Sequence, residues 1–249
     1  MVIVGRGFIA KNLEPIAGEH EDVILLAAGV SRTTATSRAD FVRERLLLED
    51  TMQRCVREGR RLVFLSTASS GVYGAPNCTG KENDAVQPSS PYAAHKLALE
   101  RILEDSGVDY LVLRLSHLVG QHQQPWQLLP SLVRQVTSGR VIVRHGAQRD
   151  LLEIRDMVRI TDRLLRDRVT HEVVNVASGI AIPIELVVAY VEQQLGRTAV
   201  HDVVEVDERS IIDIAKLRRL VPEVAAMGFG PTYYQQVLDT YLGVPSGAH

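Results

Sequence analysis

The sequence predicts an α/β fold built around a parallel β-sheet, and three observations lead to this prediction. Short apolar runs rich in β-branched residues alternate with longer amphipathic segments, the pattern of parallel α/β folds. Each run is continuously apolar, as expected of a strand that is buried on both faces. A glycine-containing turn directly follows the first run, and polar loops follow later ones, where open α/β sheets bind their ligands.

The elements follow in order along the chain. We predict strands at the continuous apolar runs, the last of which is the weakest: Val2–Val4, Val23–Ala28, Leu62–Leu65, Tyr110–Leu115 and Val141–Val143. We predict helices where the apolar positions recur at helical spacing: Ile9–Ile16, Phe41–Glu58, Pro91–Asp105, Gln127–Thr137, Arg155–Arg166, Ile184–Leu195 and Thr232–Leu242.

Composition narrows the class of protein. The chain has 249 residues, is 45% hydrophobic and carries a net charge of −2, which excludes a disordered chain and gives no global attraction to nucleic acid or an anionic membrane. The two cysteines, Cys55 and Cys78, lack a metal-ligating spacing, so we expect a reducing compartment and no metal. With no membrane-length apolar run and no signal peptide, we expect a cytoplasmic enzyme.

The first motif is Gly5–Ala10, which lies between the first strand and the first helix. Glycines there let the backbone turn tightly and approach a pyrophosphate, whose charge a helix N-terminus stabilises. Ala10 stands where a third glycine would allow close packing of helix on strand. An ordinary strand-to-helix turn remains the alternative interpretation.

The second motif pairs Tyr92 with Lys96. Ser90 is a plausible N-cap and Pro91 suits the first helical position, so Tyr92 lies in the first turn with Lys96 four residues later on the same face. A nearby ammonium favours the phenolate and lowers the pKa of a tyrosine from its usual value of about 10. Only four of the 28 basic residues are lysines, which makes this placement more informative.

The third motif follows the strand Leu62–Leu65. Ser69 lies at the carboxyl end of this strand, 23 residues before Tyr92. A hydroxyl at this point can hydrogen-bond a substrate carbonyl oxygen and stabilise charge that develops on it. A Ser/Thr-rich strand exit without a catalytic role is an equally good interpretation of this spacing alone.

Six motifs in order resemble those of one family, the extended short-chain dehydrogenase/reductases, and in particular the NAD-dependent epimerase/dehydratase group that acts on nucleotide sugars. The residues that carry the resemblance are Asp22–Ala28, Ser69 with Val72–Gly74, Pro91–Glu100, Leu113–Gly120, Gly146–Asp156 and Val174–Gly179. The resemblance implies a Rossmann-type dinucleotide-binding domain over residues 1–140. It also implies a small substrate-binding lobe over residues 141–249, some segments of which return to the first domain.

The resemblance also implies roles for individual residues. Tyr92 would exchange the proton, Lys96 would hold the nicotinamide ribose and depress the pKa of the tyrosine, and Ser69 would orient the carbonyl. The implied cofactor-binding residues are Gly5, Arg6, Gly7, Phe8, Ile9, Ala27, Ala28, Arg32, Ser66, Tyr92, Lys96 and Leu115. The implied substrate-binding residues are Ser70, Ser116, His117 and Arg149, with Arg149 on the diphosphate of a nucleotide sugar.

Alternatives stay open for two of these residues. Arg149 could instead form a salt bridge with Asp150 or Asp156. His117 could equally be a packed core histidine, which is the commoner role for such a residue.

Two departures from the family pattern bear on the reaction. Family dehydratases need an Asp-Glu pair where this chain has Ser70 and Gly71, so 4,6-dehydration is not expected. The position closest to the family's active-site asparagine, on the helix after the second predicted strand, is Glu44, which leaves that part of the site undefined.

The largest departure is a deletion. Only Lys11–Glu21 separate the glycine motif from the next strand, whereas family members place two strands and two helices there. In the usual strand order the missing strands 2 and 3 are outermost, so we expect a sheet with a trimmed edge. The acidic residue that binds the adenosine ribose has no counterpart here. Arg6 and Arg32 could instead bind a 2′-phosphate, which favours an exchangeable NADP(H), with NAD(H) possible.

These expectations combine into a prediction of function. The first hypothesis is an NAD(P)H-dependent ketoreductase acting on a nucleotide-activated keto-deoxysugar or a related ketone, because an exchangeable cofactor suits net reduction. A nucleotide-sugar 4-epimerase with bound NAD and a catalytically silent dinucleotide-sensing protein are the alternatives. The expected partner is a small-molecule substrate, with no nucleic acid and no membrane. By resemblance to family dimers, we expect a homodimer that pairs Pro91–Asp105 and Phe41–Glu58 across a two-fold axis.

Overall fold

The computed structural model describes residues 1–30, 37–73 and 78–244. The strands are β1 (Val2–Val4), β2 (Val23–Leu26), β3 (Arg61–Thr67), β4 (Tyr110–Leu115), β5 (His117–Val119), β6 (Arg140–Glu153), β7 (Glu172–Val176), β8 (Ala181–Pro183) and β9 (Val200–Glu208). The α-helices are α1 (Phe8–Leu13), α2 (Arg38–Glu58), α3 (Ser70–Tyr73), α4 (Pro91–Glu104), α5 (Leu128–Thr137), α6 (Ile154–Arg166), α7 (Ile184–Leu195), α8 (Ala215–Leu220) and α9 (Tyr233–Leu242).

The main sheet has five parallel strands in the order β1-β2-β3-β4-β7. Every residue of β2, β3 and β4 is buried, which is the physical reason that their sequences are mostly apolar. The parallel Rossmann-type sheet predicted from the sequence is therefore confirmed.

The trimmed edge lies at β1. All three residues of β1 are only half-buried, and within the described residues β1 pairs with β2 alone. This is the arrangement expected when the two outermost strands of the usual order are missing, because β1 then becomes the edge.

The short connector between β1 and β2 is fastened to α6. After α1 the chain forms a 3-10 turn at Glu14–Glu19. Glu19 pairs with Arg166, and His20 bonds Asp162 at 2.8 Å, both on α6. The connector therefore folds against the body of the protein although it is too short to form further strands.

The remaining strands form a second sheet around the 14-residue β6. β6 pairs in parallel with β5 and β9 and antiparallel with β8. The sequence predicted only Val141–Val143 of it, since the rest of β6 is interrupted by exposed and charged positions. β9 was not predicted because its sequence is charged and largely exposed, and β6 supplies its hydrogen bonds.

Two buried apolar clusters hold the fold together. The larger one lies on the face of the main sheet that packs against the second sheet and the C-terminal helices. The smaller one lies between the opposite face of the sheet and helices α2 and α4. Within residues 1–30, 37–73 and 78–244, no helix has the length and apolar character needed to cross a membrane.

The starts of α2 and α4 are set by caps. Ser37 and Asp40 form a reciprocal capping box, so α2 begins three residues before the predicted start. Ser90 accepts a hydrogen bond from the backbone N–H of Ala93 at 3.1 Å, and Pro91 is the first residue of α4, as predicted. Helix α2 carries Glu44, and helix α4 carries the predicted catalytic residues Tyr92 and Lys96.

Candidate active site

A cleft of about 530 Å³ opens at the carboxyl ends of β2, β3 and β4. Its volume lies within the usual range for a small-molecule site. Ser69, Tyr92 and Lys96, the three predicted catalytic residues, all line it. The other predicted site residues that line it are Phe8, Ile9, Ala27, Ser66, Leu115, Ser116, His117 and Arg149.

The structure does not describe the side chains of two predicted residues, Arg32 and Ser70. Arg32 lies outside the described residues, and of Ser70 only the backbone, in α3, is described. Gly5, Arg6, Gly7 and Ala28 lie at the ends of β1 and β2, beside the cleft lining and not within it.

Lys96 is held in place by buried partners. Its side chain is 4% exposed, and its ammonium donates to Glu44 Oε1 at 2.6 Å and to the carbonyl oxygen of Leu65 at 3.0 Å. The ammonium also lies 4.9 Å from the centre of the Phe64 ring. Two of its three donors are thereby used, and one is left for a ligand or for Tyr92.

The partner of Lys96, Glu44, extends from α2 and is 1% exposed. Its other oxygen accepts hydrogen bonds from the backbone N–H of Val30 and from His95 Nε2, each at 3.0 Å. Burial disfavours the charged carboxylate, but the bonds from His95 and Lys96 outweigh it and lower the pKa of Glu44 to about 2. The sequence position that was undefined is therefore a buried anion at the centre of the site.

Tyr92 faces opposing influences. Burial raises the pKa of the Tyr92 phenol, the Lys96 ammonium lowers it, the Glu44 carboxylate raises it, and a hydrogen bond with Thr67 lowers it. Lys96 lowers the pKa as expected, but desolvation and Glu44 together outweigh the ammonium, so the net shift is upward. In this site Tyr92 is therefore a weaker acid than a free tyrosine.

Ser69 approaches the start of α4 because of a glycine. A Cβ on Gly71 would lie 2.9 Å from Ser90 Oγ, 3.2 Å from Ala93 Cβ and 3.5 Å from Ser69 Oγ. The absence of a side chain at Gly71 therefore allows the turn that carries Ser69 to pack against the first turn of α4, where Tyr92 lies.

Ser66, a predicted cofactor-binding residue, forms a hydrogen bond within the protein. Its hydroxyl donates to Glu100, which also accepts the guanidinium of Arg114, its Nη2 at 2.6 Å. Arg114 Nη1 donates to the Tyr73 hydroxyl at 2.6 Å, and this hydroxyl bonds the buried Asn175 at 2.9 Å. This buried network ties α4 to β3, β4 and β7 beneath the cleft.

The glycine turn leaves room for a ligand at one position. Gly5 has φ +144°, and a Cβ there would lie 2.7 Å from the backbone carbon of Ala27, so only glycine fits against the end of β2. A Cβ on Gly7 would meet nothing within 4 Å, so its backbone is open to approach. Arg6, between them, is exposed. The turn fits the phosphate contact that a dinucleotide needs.

Arg149 and His117 lie together on the opposite side of the cleft. Arg149 pairs with Glu208 at 2.5 Å and donates to the carbonyl oxygen of Gln148 at 2.7 Å. Burial and the nearby Arg149 charge lower the pKa of His117 to about 4, so the imidazole is neutral. His117 therefore lines the cleft as an uncharged group.

The two acidic partners considered for Arg149 are engaged elsewhere. Asp150 accepts backbone N–H groups of Ser178, Gly179 and Ile180 at 2.7–3.1 Å, and Asp156 accepts the Tyr233 hydroxyl at 2.6 Å. The salt bridge of Arg149 is made with Glu208, a residue of the unpredicted strand β9.

Comparison with known proteins shows the family. A model of the NAD dependent epimerase/dehydratase family matches residues 10–177, more than half of the chain. The chain belongs to this family. The assignment confirms the predicted family and the expectation of an enzyme. The matched range of this epimerase/dehydratase-family protein includes Glu44, Tyr92 and Lys96.

Individual relatives cover different shares of the chain. An uncharacterized UDP-glucose epimerase, YtcB, of Bacillus subtilis (strain 168) is 28% identical over 160 residues, 61% of this chain and 50% of that one. A dTDP-glucose 4,6-dehydratase of Streptomyces antibioticus is 28% identical over 170 residues, 64% of this chain and 49% of that one. The matched part spans about half the length of these curated relatives.

Among solved structures, RMD from Pseudomonas aeruginosa complexed with NADPH superposes with a TM-score of 0.79 at 21% identity. The match covers 98% of both chains. At this identity the likeness shows the fold, including its compact size.

Three residues of the site had no part in the sequence prediction of the catalytic group. Gly29 leaves space for the Lys96–Glu44 pair, because a Cβ there would lie 2.3 Å from Glu44 Oε1. Thr67 lowers the pKa of the Tyr92 phenol, and His95 Nε2 donates to Glu44. The only sequence signal for these residues is their proximity to the quoted motifs, since their contacts cross from one element to another.

Proposed function

We propose that this epimerase/dehydratase-family protein is an NAD(P)H-dependent ketoreductase that acts on a nucleotide-activated keto-deoxysugar or a related ketone. The observation that carries the proposal is the convergence of Ser69, Tyr92 and Lys96 on one cleft. A phenol is the form that can give a proton to a carbonyl oxygen as it is reduced.

Each residue of the chain has a role in this proposal. The bound dinucleotide supplies the hydride. Tyr92 gives its proton to the carbonyl oxygen, and the Ser69 hydroxyl donates a hydrogen bond to the same oxygen and stabilises its developing charge. Lys96 offers its remaining N–H to the ribose of the cofactor and steadies the phenolate that Tyr92 leaves behind.

The substrate side of the cleft suits an anionic group. The planar guanidinium of Arg149 is half-buried in the cleft wall, and such a fork pairs well with a diphosphate. Neutral His117 and Ser116, which both line the cleft, then contact the sugar, and Ser70 is retained as a third substrate-binding residue on its sequence position alone. Glu208 holds Arg149 in position, and a diphosphate would compete with it.

NADP(H) is the proposed cofactor, with NAD(H) possible. Arg6 is exposed in the turn beside the open backbone of Gly7, so it is available to a 2′-phosphate. Arg32, which lies outside the described residues, is retained as a second candidate on its sequence position after β2 alone. One solved structure that covers 98% of this chain is complexed with NADPH, and others that cover 96% of it are complexed with NAD. The trimmed edge removes the strand that would carry an acidic ribose-binding residue, which also favours NADP(H).

A 4,6-dehydratase activity is not proposed, although one relative is a dehydratase. Ser70 and Gly71 occupy the positions of the acidic pair that elimination needs. Even a Cβ at Gly71 would come within 2.9 Å of Ser90 Oγ, so a glutamate there requires the start of α4 to move.

The second candidate is a nucleotide-sugar 4-epimerase with bound NAD, which is favoured by the relative described as a UDP-glucose epimerase. A catalytically silent dinucleotide sensor is a weaker alternative, because it would need none of the three converging catalytic side chains.

Two further expectations are retained as proposals. The first is the division of the chain into two domains between residues 140 and 141, and the second is a homodimer through α2 and α4. Three apolar residues of α2 are exposed: Val42, Leu46 and Val56.

The test is the fate of the cofactor. Purified protein with a nucleotide-linked keto-deoxysugar should consume one NADPH per product, followed at 340 nm. Tyr92→Phe should lower the rate about 10²–10⁴-fold without changing NADPH binding, because only the proton donor is removed. Tyr241→Phe on α9 is the matched control and should leave the rate unchanged. NAD that co-purifies with the protein, together with 4-epimer formation, would favour the epimerase instead.

A further inference from the structure

Glu44 is a buried carboxylate that faces the proposed catalytic lysine from another helix. It is 1% exposed, its Oε1 lies 2.6 Å from Lys96 Nζ, and it belongs to α2, whereas Lys96 and Tyr92 belong to α4. None of its three contacts requires a cofactor or a substrate, so the pair is formed within the protein alone.

We propose that Glu44 is a positioning residue of the catalytic site: its carboxylate offsets the charge of Lys96, so that Tyr92 loses its proton less readily than it would beside an unpaired ammonium. The proposal rests on the proposed function, because the role of Tyr92 as proton donor belongs to that function. It adds that a counter-ion on α2 opposes the ammonium in setting the acidity of Tyr92.

The geometry supports an electrostatic role. Lys96 and Glu44 are joined by a direct buried hydrogen bond, so the pair has little net charge as seen from Tyr92. An ammonium without this partner would stabilise a phenolate four residues earlier on the same helix. The titratable and charged groups around Tyr92 in the cleft are Lys96 and His95 from α4, Glu44 from α2, His117 from β5 and Arg149 from β6.

The surroundings of Glu44 are fitted to the anion. Its second oxygen is satisfied by the Val30 N–H and by His95, and Gly29 leaves the space that its carboxylate occupies. Burying an ion pair is costly compared with packing apolar side chains of similar size, so stability alone does not explain a carboxylate here. The arrangement also fixes the Lys96 ammonium at the carboxyl end of β3, through the carbonyl oxygen of Leu65.

The inference concerns the ionisation of Tyr92, which can be measured without cofactor or substrate. Absorbance at 295 nm is recorded from about pH 8 to 12.5, a range that extends well above the usual tyrosine pKa of about 10 because the pKa of Tyr92 is raised. Subtracting the curve of the same protein carrying Tyr92→Phe isolates the ionisation of Tyr92. The series comprises the unaltered protein, Glu44→Gln, Lys96→Met and the control Asp50→Asn, which removes an exposed carboxylate of α2.

Glu44→Gln keeps the shape of the side chain and removes its charge. We expect it to lower the Tyr92 midpoint by about one pH unit, because the ammonium is then no longer offset. Lys96→Met should raise the midpoint, because Glu44 then acts alone, and this variant tests the same opposition if Glu44→Gln does not fold. Asp50→Asn should leave the midpoint unchanged.

A Tyr92 midpoint that stays constant or rises in Glu44→Gln overturns the proposal, as does a midpoint that Lys96→Met does not raise. A purely structural salt bridge would change the unfolding free energy without moving this midpoint. If the midpoints move as expected but no ketone is reduced, the inference about Glu44 stands and the proposed reaction fails. If reduction occurs, its loss on the alkaline side should begin about one pH unit lower in Glu44→Gln.

Discussion

At the Lys96 end of the cleft the polar groups are buried and paired, whereas at the glycine-turn end they are exposed and open. Lys96 and Glu44 are 4% and 1% exposed and satisfy one another, and Ser66, Glu100 and Arg114 form a second buried network below them. Arg6 and Gly7, at the other end, are exposed on the turn after the half-buried edge strand β1.

This difference indicates at which end of the cleft the positions of the side chains must be held most closely. Proton transfer depends on angles and distances of a few tenths of an ångström, so its groups are held by packing from two helices and a central strand. Binding the distant half of a dinucleotide requires only that charge and open backbone be available. The loss of two edge strands is therefore tolerated at the glycine-turn end, where few contacts depend on them.

Adding one methyl group at each end is the strongest test of this contrast. Gly29→Ala places a Cβ 2.3 Å from Glu44 Oε1 and 3.0 Å from Lys96 Nζ, so it must displace the buried pair. We expect a loss of about 3 kcal/mol in the free energy of unfolding and a large loss of activity. Urea denaturation measures the first effect and NADPH oxidation the second.

Gly7→Ala is the matched variant at the other end, where a Cβ meets nothing within 4 Å. It should change the free energy of unfolding by less than about 0.5 kcal/mol. Its NADPH affinity should nevertheless fall, because the methyl group occupies the path of the phosphates. Equal destabilisation by the two variants would remove the contrast between the ends.

The second prediction concerns the acid sensitivity of His117, a desolvated group that lines the cleft beside Arg149. The pKa of His117 is about 4 in the folded protein, below its usual value of about 6.5, so only the unfolded chain binds this proton between these values. The contribution of His117 to stability is therefore complete above about pH 7 and is lost as the pH falls toward 4. Between pH 7.5 and 5, the loss from this residue should reach about 2 kcal/mol.

Urea denaturation of the unaltered protein and of His117→Gln at both pH values measures the difference. The variant should lose about 2 kcal/mol less on acidification, because its amide does not titrate. His145→Gln is a control of opposite sign, because the bond to Glu205 raises the pKa of His145, so that its removal should not reduce the acid loss. Identical acid losses in the protein and in His117→Gln would contradict the assignment of a neutral, desolvated imidazole.

The same contrast explains what could be predicted from sequence. The apolar runs identify β2, β3 and β4 because strands buried on both faces are built mainly of apolar residues. The resemblance to a family points to Ser69, Tyr92 and Lys96, which all line the cleft, whereas their spacing alone left the role of Ser69 open. The length of β6 and the existence of β9 depend on pairing between distant segments, which charged, exposed sequences do not reveal.

The electrostatics of the site were the least predictable part. The sequence placed Tyr92 and Lys96 on one helical face, which by itself implies a lowered tyrosine pKa. The opposite outcome follows from a contact 52 residues apart, between Lys96 and Glu44, and from burial in the cleft. Such cross-element contacts are properties of the packed structure, so a local pattern indicates the residues and leaves their ionisation undetermined.

The smallest expected effect lies at the glycine-turn end. Arg6 is exposed there, so Arg6→Ala should leave the fold intact and weaken NADPH binding about tenfold, with little change for NADH, because only NADPH carries the 2′-phosphate that the guanidinium would meet. Quenching of Trp126, the single tryptophan, which lines the cleft, reports both affinities. Arg209→Ala, an exposed arginine just after β9, is the control for a general loss of positive charge. Equal weakening of NADPH and NADH would assign Arg6 to the pyrophosphate common to both, and a stronger loss of NADH would refute the NADP(H) preference.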